Sequence, residues 1–125
     1  MEQPPVILAI VSDLFFQAKI EAISKIKKVE CIFAWEGVSI QKISSNSNLK
    51  MIIIDSSISE VDVCELISNF KKNTRTRKIP IVVYGSHVRF DLLHDAQDCG
   101  ADVILVKSVF EKKISELIQS TCDNN

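Results

Sequence analysis

The segment Met51-Ile52-Ile53-Ile54-Asp55 is the strongest indication of the fold, because a continuous apolar run leads directly into a carboxylate. Uninterrupted runs of β-branched residues are typical of parallel strands that are covered on both faces. Three other segments share this character, and each stops at a polar residue or a glycine: residues 6–11, 79–84 and 103–106. A weaker segment at residues 29–34 alternates in part, as an edge strand does. The sequence therefore predicts five strands.

Between these segments the apolar residues recur at the spacing of one helical face. Four stripes are clear: Phe16, Ile20 and Ile23; Val63, Leu66, Ile67 and Phe70; Leu92, Leu93, Ala96 and Cys99; and Phe110, Ile114, Leu117 and Ile118. A helix around residues 38–43 has the weakest pattern. Gly100 stands where a left-handed helix cap is expected, and residues 108–111 and, more loosely, 59–62 predict capping boxes at two helix starts.

Five strands that alternate with five helices predict an α/β fold: a doubly wound, five-stranded parallel sheet in a flavodoxin-like three-layer sandwich. A chain of 125 residues provides one hydrophobic core, so residues 1–125 are predicted to form a single domain. In such a sheet the binding crevice lies at the carboxyl ends of the strands. The candidate site residues are those that follow the strands: Ser12, Asp13, Trp35, Glu36, residues 55–57, residues 85–87, Lys107 and Ser108.

The composition argues against several classes of function. With 15 Lys and Arg residues against 16 Asp and Glu residues, a net charge of −1 disfavours nucleic-acid and membrane-surface partners. No apolar run reaches the roughly 18 residues of a membrane helix, and the acidic start of the chain lacks the basic region of a secretory signal. Four widely spaced cysteines without a C-x-x-C pair predict free thiols and a cytoplasmic protein.

Three segments resemble the third, fourth and fifth strands of the CheY-like receiver domains of response regulators: residues 51–55, 79–84 and 100–107. The resemblance covers nearly the whole chain. Its most specific feature is the separation of 52 positions between Asp55 and Lys107. This separation matches that between the phosphoacceptor aspartate and the invariant lysine of the family. The Gly-Ala-Asp sequence that leads into the fifth strand supports the same alignment.

The resemblance implies a set of roles for individual residues. Asp55 would accept a phosphoryl group, and Lys107 would neutralise the phosphoryl oxygens, since phosphoryl transfer depends mainly on positioning and charge neutralisation. A Mg²⁺ ion would be held by Asp13, Asp55 and the backbone carbonyl of Ser57. Ser86 would supply the hydroxyl that contacts the phosphoryl group, provided that its loop shifts by one position.

The acidic pair that receivers carry after the first strand is incomplete in this sequence. In one register the pair is Ser12-Asp13, and in the other it is Val11-Ser12 with Asp13 just beyond it. Because Mg²⁺ prefers hard oxygen ligands in near-octahedral geometry, the loss of one or two carboxylates weakens its binding. The sequence leaves the choice of register open.

Three further positions depart from the family pattern. Gly85 stands where receivers have Thr or Ser, and Ile104 replaces their aromatic switch residue. Ser108 replaces the proline that follows the lysine. Since a cis bond before a serine costs about 2.5–4 kcal/mol, we predict a trans bond at this position. The strings at residues 13–16 and 84–88 are similar to those of a subset of atypical receiver-like proteins.

Several of these residues also have a purely structural interpretation. Asp13 precedes an apolar periodic run, as a helix N-cap does, and Asp55 is suited to capping the turn that follows it. Lys107 is equally compatible with a solvated lysine at a strand end, and Ser86 and His87 with turn residues that open the next helix.

Three side chains beside the predicted site are candidates for partner contacts: Phe15, Trp35 and His87. For Trp35, partial burial against the second helix is an equally good prediction. The expected partners are a histidine kinase or phosphotransfer protein and a downstream protein target. The face formed by the fourth helix, the fifth strand and the fifth helix is the expected output surface, and a homodimer is left open.

Three functions follow from this reading. The first is a stand-alone, atypical receiver domain in two-component phosphorelay signalling, which is not an enzyme and acts through protein–protein contacts, unless the chain is a fragment of a longer regulator. The second is a pseudo-receiver that binds a protein or a ligand without being phosphorylated. The third is a small flavodoxin-like enzyme or nucleotide binder, against which the presence of only three glycines and no phosphate-binding motif argues.

Overall fold

A central parallel sheet with helices on both faces organises the chain. The structure is a computed structural model and describes residues 3–123. The strands are β1 (Val6–Ile10), β2 (Glu30–Phe33), β3 (Leu49–Asp55), β4 (Ile81–Gly85) and β5 (Val103–Val106). The helices are α1 (Leu14–Ile26), α2 (Gly37–Ser44), α3 (Val63–Lys72), α4 (Phe90–Asp98) and α5 (Lys107–Asp123), and a 3₁₀ turn (His87–Arg89) precedes α4. The parallel strand order β2-β1-β3-β4-β5 confirms the predicted doubly wound α/β fold.

The central strand, β3, separates two hydrophobic cores. Ile52 and Ile54 face the core shared with α2, α3 and α4, whereas Met51 and Ile53 face the core shared with α1 and α5. None of the four is more than 3% exposed, which explains why this strand has no polar alternation. β2 and β5 are the edges of the sheet, and their residues are exposed or only partly buried. The predicted edge position of the segment at residues 29–34 is confirmed.

The predicted apolar stripes are the helix faces that pack on the sheet. Nine of their residues are buried: Phe16, Ile20, Ile67, Phe70, Leu93, Ala96, Phe110, Ile114 and Ile118. The remaining members are partly buried, and all of them except Leu92 pack against one of the same two cores. The longest helix, α5, has 17 residues, and no helix within residues 3–123 combines the length and hydrophobicity needed to span a membrane.

Gly100 ends α4 as predicted, with a φ of +121° that favours glycine. Its N–H donates to the Gln97 carbonyl (3.1 Å), and the Ala101 N–H donates to the Ala96 carbonyl (3.0 Å). These two bonds satisfy carbonyls that the end of a helix otherwise leaves unpaired. The backbone therefore turns sharply from α4 towards β5.

Both predicted capping boxes are wrong in position. α3 is capped by Asp62, whose carboxylate accepts a hydrogen bond from the Glu65 N–H (3.1 Å), and not by Ser59. α5 begins at Lys107, directly after β5, so Ser108 lies inside the helix. The residue before the helix is the last strand residue, whose apolar side chain has no acceptor for a capping bond. The peptide bond between Lys107 and Ser108 is trans, as predicted.

Cys64 on α3 and Cys99 at the end of α4 form a disulfide, with their Cα atoms 5.5 Å apart. The prediction of free thiols is therefore wrong for this pair, whereas Cys31 and Cys122 take no part in the bond. Two cysteines 35 positions apart meet because α3 and α4 pack on the same face of the sheet, which a search for local cysteine motifs does not detect. Because disulfides persist chiefly in oxidising compartments, the argument for a cytoplasmic location from free thiols no longer holds.

Reduction of the Cys64–Cys99 disulfide is expected to lower the free energy of unfolding by about 4 kcal/mol, because the bond restricts a long loop in the unfolded chain. Urea unfolding with and without a thiol reductant measures this difference. Cys64→Ala should be insensitive to the reductant, while Cys31→Ala should respond as the wild-type chain does. Equal unfolding midpoints for the wild-type chain in both conditions would contradict the prediction.

Candidate functional site

Asp55, the last residue of β3, lies at the carboxyl edge of the sheet and is only 2% exposed. Its Oδ1 accepts hydrogen bonds from the Ser57 N–H (2.9 Å) and the Ser57 hydroxyl (2.8 Å). The turn-capping role considered for Asp55 is therefore present in the structure. Its Oδ2 accepts no hydrogen bond from residues 3–123, yet it is not sealed from solvent. One carboxylate oxygen is held in place, and the other is available for binding or reaction.

Lys107 and Asp13 meet at this edge, with 3.7 Å between the ammonium and Asp13 Oδ2. Asp13 also caps α1, because its Oδ1 accepts hydrogen bonds from the N–H groups of Phe15 (2.9 Å) and Phe16 (3.3 Å). The described part of the chain contains no ion pair between Lys107 and Asp55. The side chains of Lys107 and Asp13 are 41% and 28% exposed, so their attraction is modest. Lys107 can therefore exchange partners at a small energetic cost.

The metal ligands proposed from the resemblance are only partly assembled. Residues 3–123 contain no cluster of three or more Asp, Glu, His or Cys side chains that could hold a metal ion. Two carboxylates, Asp13 and Asp55, remain at this edge, and Ser12 is exposed. Mg²⁺ is commonly bound through one or two carboxylates together with water and phosphate oxygens. The donor set therefore fits a Mg²⁺ ion that shares a phosphoryl ligand better than one held by the protein alone.

Ser56 occupies the space beside Gly85, the position at which receivers carry a hydroxyl. The sequence did not suggest this neighbour. A Cβ on Gly85 would overlap the hydroxyl of Ser56 and would lie 3.2 Å from Ser56 Cβ and 3.4 Å from Leu93 Cδ2. Ser56 is 7% exposed, and its hydroxyl has no hydrogen-bond partner within the described residues. The serine directly after Asp55 thus fills the space that a Thr or Ser side chain at position 85 would need.

Ser86, the predicted substitute for that hydroxyl, has a local structural role. Its Oγ accepts a hydrogen bond from the Val88 N–H (3.1 Å) at the start of the 3₁₀ turn. His87 lies in the same turn and is exposed. The alternative interpretation, in which these two residues form the turn that opens the fourth helix, matches this placement.

Tyr84 is a residue of this edge that sequence reasoning missed. It is 0% exposed, stacks on Phe110 with 4.3 Å between ring centroids and 3° between planes, and touches Phe16 at 4.8 Å. Its hydroxyl has no partner among residues 3–123. Burial, with the negative charges of Asp55 and Asp13, raises the pKa of Tyr84. The signal available in the sequence was the hydroxyl of Tyr84, a single polar side-chain atom in the otherwise apolar strand β4.

The predicted partner-contact residues are at the surface. Phe15 is 58% exposed, Trp35 is 38% exposed, and His87 is exposed. Other large apolar side chains near the strand ends are exposed as well, and sequence reasoning did not single them out: Leu14, Val88, Phe90 and Val109. Ile104, at the position of the aromatic switch residue, is partly buried against the core of α2, α3 and α4. Its aliphatic side chain is therefore a packing residue.

A cavity of about 720 Å³ lies away from these residues, between α2 and α3. Its lining includes Ile40, Leu66, Phe70 and Arg75, and none of the predicted site residues. An enzyme or nucleotide site built on Asp55, Ser86 and His87 would need a crevice beside those residues, and this cavity does not provide it.

Comparisons of structure find known proteins similar to this chain, whereas comparisons of sequence do not. No protein-family model matches this chain, and no curated protein matches it. Solved structures match nearly its whole length. The receiver domain of a sensor histidine kinase from Pseudomonas aeruginosa, solved with a magnesium ion coordinated in its active-site cleft, has a TM-score of 0.78 at 14% identity, covering 97% of this chain and 99% of that chain.

Two further structures are similar to the same extent. A response-regulator receiver domain from Bermanella marisrubri has a TM-score of 0.77 at 22% identity, covering 96% of this chain and 99% of that chain. The chemotaxis response regulator CheY4 of Vibrio cholerae has a TM-score of 0.76 at 15% identity, with 94% and 98% covered. At these identities the likeness establishes the fold. This chain has the fold of a CheY-like response-regulator receiver domain, as the sequence predicted.

Gly85→Ala is expected to lower the free energy of unfolding by about 1–3 kcal/mol, because the new methyl group overlaps the Ser56 hydroxyl. In the Gly85→Ala/Ser56→Ala chain most of this loss should be recovered, since the hydroxyl is gone. Urea unfolding of the four chains of this double-mutant cycle measures the coupling. Gly37→Ala is the matched control, because nothing lies within 4 Å of a Cβ at that position, and its stability should not fall. Strictly additive effects at positions 56 and 85 would rule out the overlap.

Alkaline pH is expected to destabilise the chain through Tyr84. Burial and the charges of two carboxylates raise the pKa of this residue. Because the folded chain holds the phenol proton more tightly, this stability is complete below the unfolded pKa of about 10 and is lost as pH rises above it. Tyr84 is the sole tyrosine, so phenolate absorbance reports on it directly.

Tyr84→Phe is the control for this effect. Burial also raises the pKa of the Cys31 thiol, to about 12, and its contribution is common to both chains. Above a pH of about 10, the free energy of unfolding should therefore fall less steeply in Tyr84→Phe than in the wild-type chain. The difference between the two chains is the contribution of Tyr84. Phenolate absorbance that develops at the same pH in folded and urea-unfolded wild-type chains would be inconsistent with the prediction.

Proposed function

We propose that this chain is a receiver module of two-component signalling, in which Asp55 accepts a phosphoryl group and a protein partner responds. The observation that carries the proposal is the environment of the Asp55 carboxylate in a chain with the receiver fold. The carboxylate is buried at the end of the central strand, with one oxygen held by Ser57 and the other unbonded. The Lys107–Asp13 pair lies at the same edge of the sheet. The module acts as a signalling component and not as an enzyme.

In the proposed reaction Oδ2 of Asp55 attacks the phosphorus of a phosphohistidine on a histidine kinase or phosphotransfer protein. A P–O bond to Asp55 forms as the P–N bond to the imidazole breaks, and the imidazole nitrogen keeps the electron pair of that bond. Ser57 holds Oδ1 through two hydrogen bonds, so only one oxygen is directed at the phosphorus. Such positioning is the main contribution that a protein makes to phosphoryl transfer.

Lys107 is the group that neutralises the added negative charge. Its side chain is 41% exposed and its contact with Asp13 is modest, so the ammonium can turn to the phosphoryl oxygens. Asp13 and Asp55 would then hold Mg²⁺ together with a phosphoryl oxygen. When bound, Mg²⁺ supplies further neutralisation of charge on the transferring group. Asp13 keeps its capping bonds to α1 throughout, because they involve its other oxygen.

The exposed apolar side chains near the strand ends are suited to protein partners. Phe15 and Trp35, with the exposed Leu14, follow β1 and β2 at the carboxyl edge of the sheet and would contact the kinase or phosphotransfer protein. Phe90, Val103 and Val109 are 49%, 36% and 37% exposed on α4, β5 and α5, where a downstream target or a second copy of the chain would bind. Clusters of exposed aromatic and aliphatic residues are typical of such interfaces.

A second candidate function is a pseudo-receiver that binds its partner without phosphorylation. The Ser56–Gly85 arrangement favours it, because Ser56 closes the place of the family hydroxyl and excludes a side chain at position 85. The pairing of Lys107 with Asp13, and not with Asp55, favours it as well. The two functions differ in whether Asp55 reacts.

Incubation of the wild-type chain with acetyl phosphate and Mg²⁺ is expected to add the mass of one phosphoryl group, because Asp55 Oδ2 is available for attack. Asp55→Asn should show no gain, since an amide is not a nucleophile at neutral pH. Intact-mass spectrometry measures the change. Asp98→Asn, which removes an exposed carboxylate on α4, is the control and should gain mass as the wild-type chain does.

The outcome separates the two candidate functions. A wild-type chain that gains no phosphoryl mass supports the pseudo-receiver and removes the phosphoacceptor role of Asp55. An equal gain in Asp55→Asn would place the modification at another residue and would also contradict the proposal.

A further inference from the structure

The Tyr84 hydroxyl is an unsatisfied polar group in the core of the molecule. The residue is 0% exposed, and the hydroxyl has no hydrogen-bond partner among residues 3–123. Buried polar groups are nearly always paired, because burial without a partner is costly. A phenylalanine would fill the same stack without this cost. The hydroxyl therefore indicates a partner that binds in another state of the site.

The strand register places Tyr84 beside Asp55. The two residues are Cα partners in the parallel pairing of β3 and β4, so their side chains leave the sheet on the same face. That face is the one covered by α1 and α5, where Ile53 and Tyr84 share a core. The ring stacks on Phe110, at 4.3 Å, and contacts Phe16, at 4.8 Å, in a cluster of three rings that restricts the directions in which the hydroxyl can point.

Two negative charges act on this hydroxyl in addition to its burial. The carboxylates of Asp55 and Asp13 both act on the phenol, and both favour its protonated form. The group is therefore a neutral O–H donor. A donor in this position is suited to an anion at Asp55, and in particular to a phosphoryl oxygen, which is a strong hydrogen-bond acceptor.

The other hydroxyls nearby are less suited to this role. The Ser56 hydroxyl lies against Gly85 and Leu93, on the face of the sheet that carries α4. Ser86 lies beyond the end of β4, and its oxygen is engaged by the Val88 N–H. Among the described residues with an unpaired, buried hydroxyl, Ser24 lies near the C-terminal end of α1, and only Tyr84 is a strand residue paired with Asp55.

We propose that the Tyr84 hydroxyl donates a hydrogen bond to a phosphoryl oxygen on Asp55, in place of the hydroxyl that Gly85 lacks. The inference rests on the proposed function, because its ligand is the phosphorylated Asp55. Tyr84 then distinguishes this site from receivers with a Thr or Ser at the strand end. The hydrogen-bond donor is the hydroxyl of Tyr84, which stacks on Phe110, and not a side chain at position 85.

The test is binding of beryllofluoride, a phosphoryl mimic, to the full chain in the presence of Mg²⁺. Tyr84→Phe removes one oxygen and keeps the ring contacts with Phe110 and Phe16. Its affinity is expected to fall roughly ten- to a hundredfold, as for loss of a hydrogen bond to a charged acceptor. Its stability without ligand should be equal to or above that of the wild-type chain, since an unsatisfied group is removed. Trp35 fluorescence follows the binding in both chains.

Two further measurements separate this role from a structural one. Ser86→Ala should bind beryllofluoride as the wild-type chain does, and the ring-carbon NMR signal of the sole tyrosine should shift on binding in both of these chains. Equal affinities for Tyr84→Phe and the wild-type chain, or a loss confined to Ser86→Ala, would overturn the inference while leaving the proposed function intact. A wild-type chain that binds no beryllofluoride would overturn the proposed function and this inference together.

Discussion

The burial of the Asp55 carboxylate is the constraint on which the rest of this edge depends. A carboxylate that is 2% exposed loses most of its hydration and must gain hydrogen bonds or a charge partner in return. Ser57 supplies two hydrogen bonds to one oxygen, and Lys107 contacts Asp13 in place of Asp55. Of the two carboxylates at this edge, only Asp13 pairs with Lys107 within the described residues. The remaining negative charge favours the approach of a cation, and a new anion can recruit Lys107.

The hydroxyl groups around Asp55 follow from the same packing. Ser56 occupies the space above Gly85, so a side chain at position 85 is excluded by volume and not only absent from the sequence. Tyr84 carries its oxygen on the opposite face, towards α1 and α5. The receiver fold can therefore keep its sheet and an aspartate at the end of β3 while the surrounding hydroxyls change position.

The fold could be predicted from the sequence because its signals are local. A run such as residues 51–54 and a stripe such as that of α5 are each contained in one segment, and Gly100 needs only its own helix to act as a cap. The disulfide and the overlap at Gly85 depend on which segments become neighbours, which no single segment contains. The contact of Lys107 with Asp13 depends on the side-chain rotamer of a partly exposed lysine. The capping-box pattern at residues 108–111 predicted a later start of α5, whereas in the structure α5 begins at Lys107 with no residue between it and β5.

The direct junction between β5 and α5 also determines how the Lys107 side chain can move. Lys107 is the first residue of α5, so its backbone is fixed by the helix and only its side-chain torsions can move the ammonium. Phe110 lies one turn further along and stacks on Tyr84 at 4.3 Å. The stack therefore positions the first turn of α5, and with it the origin of the Lys107 side chain, relative to β4. The Tyr84–Phe110 stack thus links the placement of the buried hydroxyl to the backbone position from which the Lys107 side chain extends.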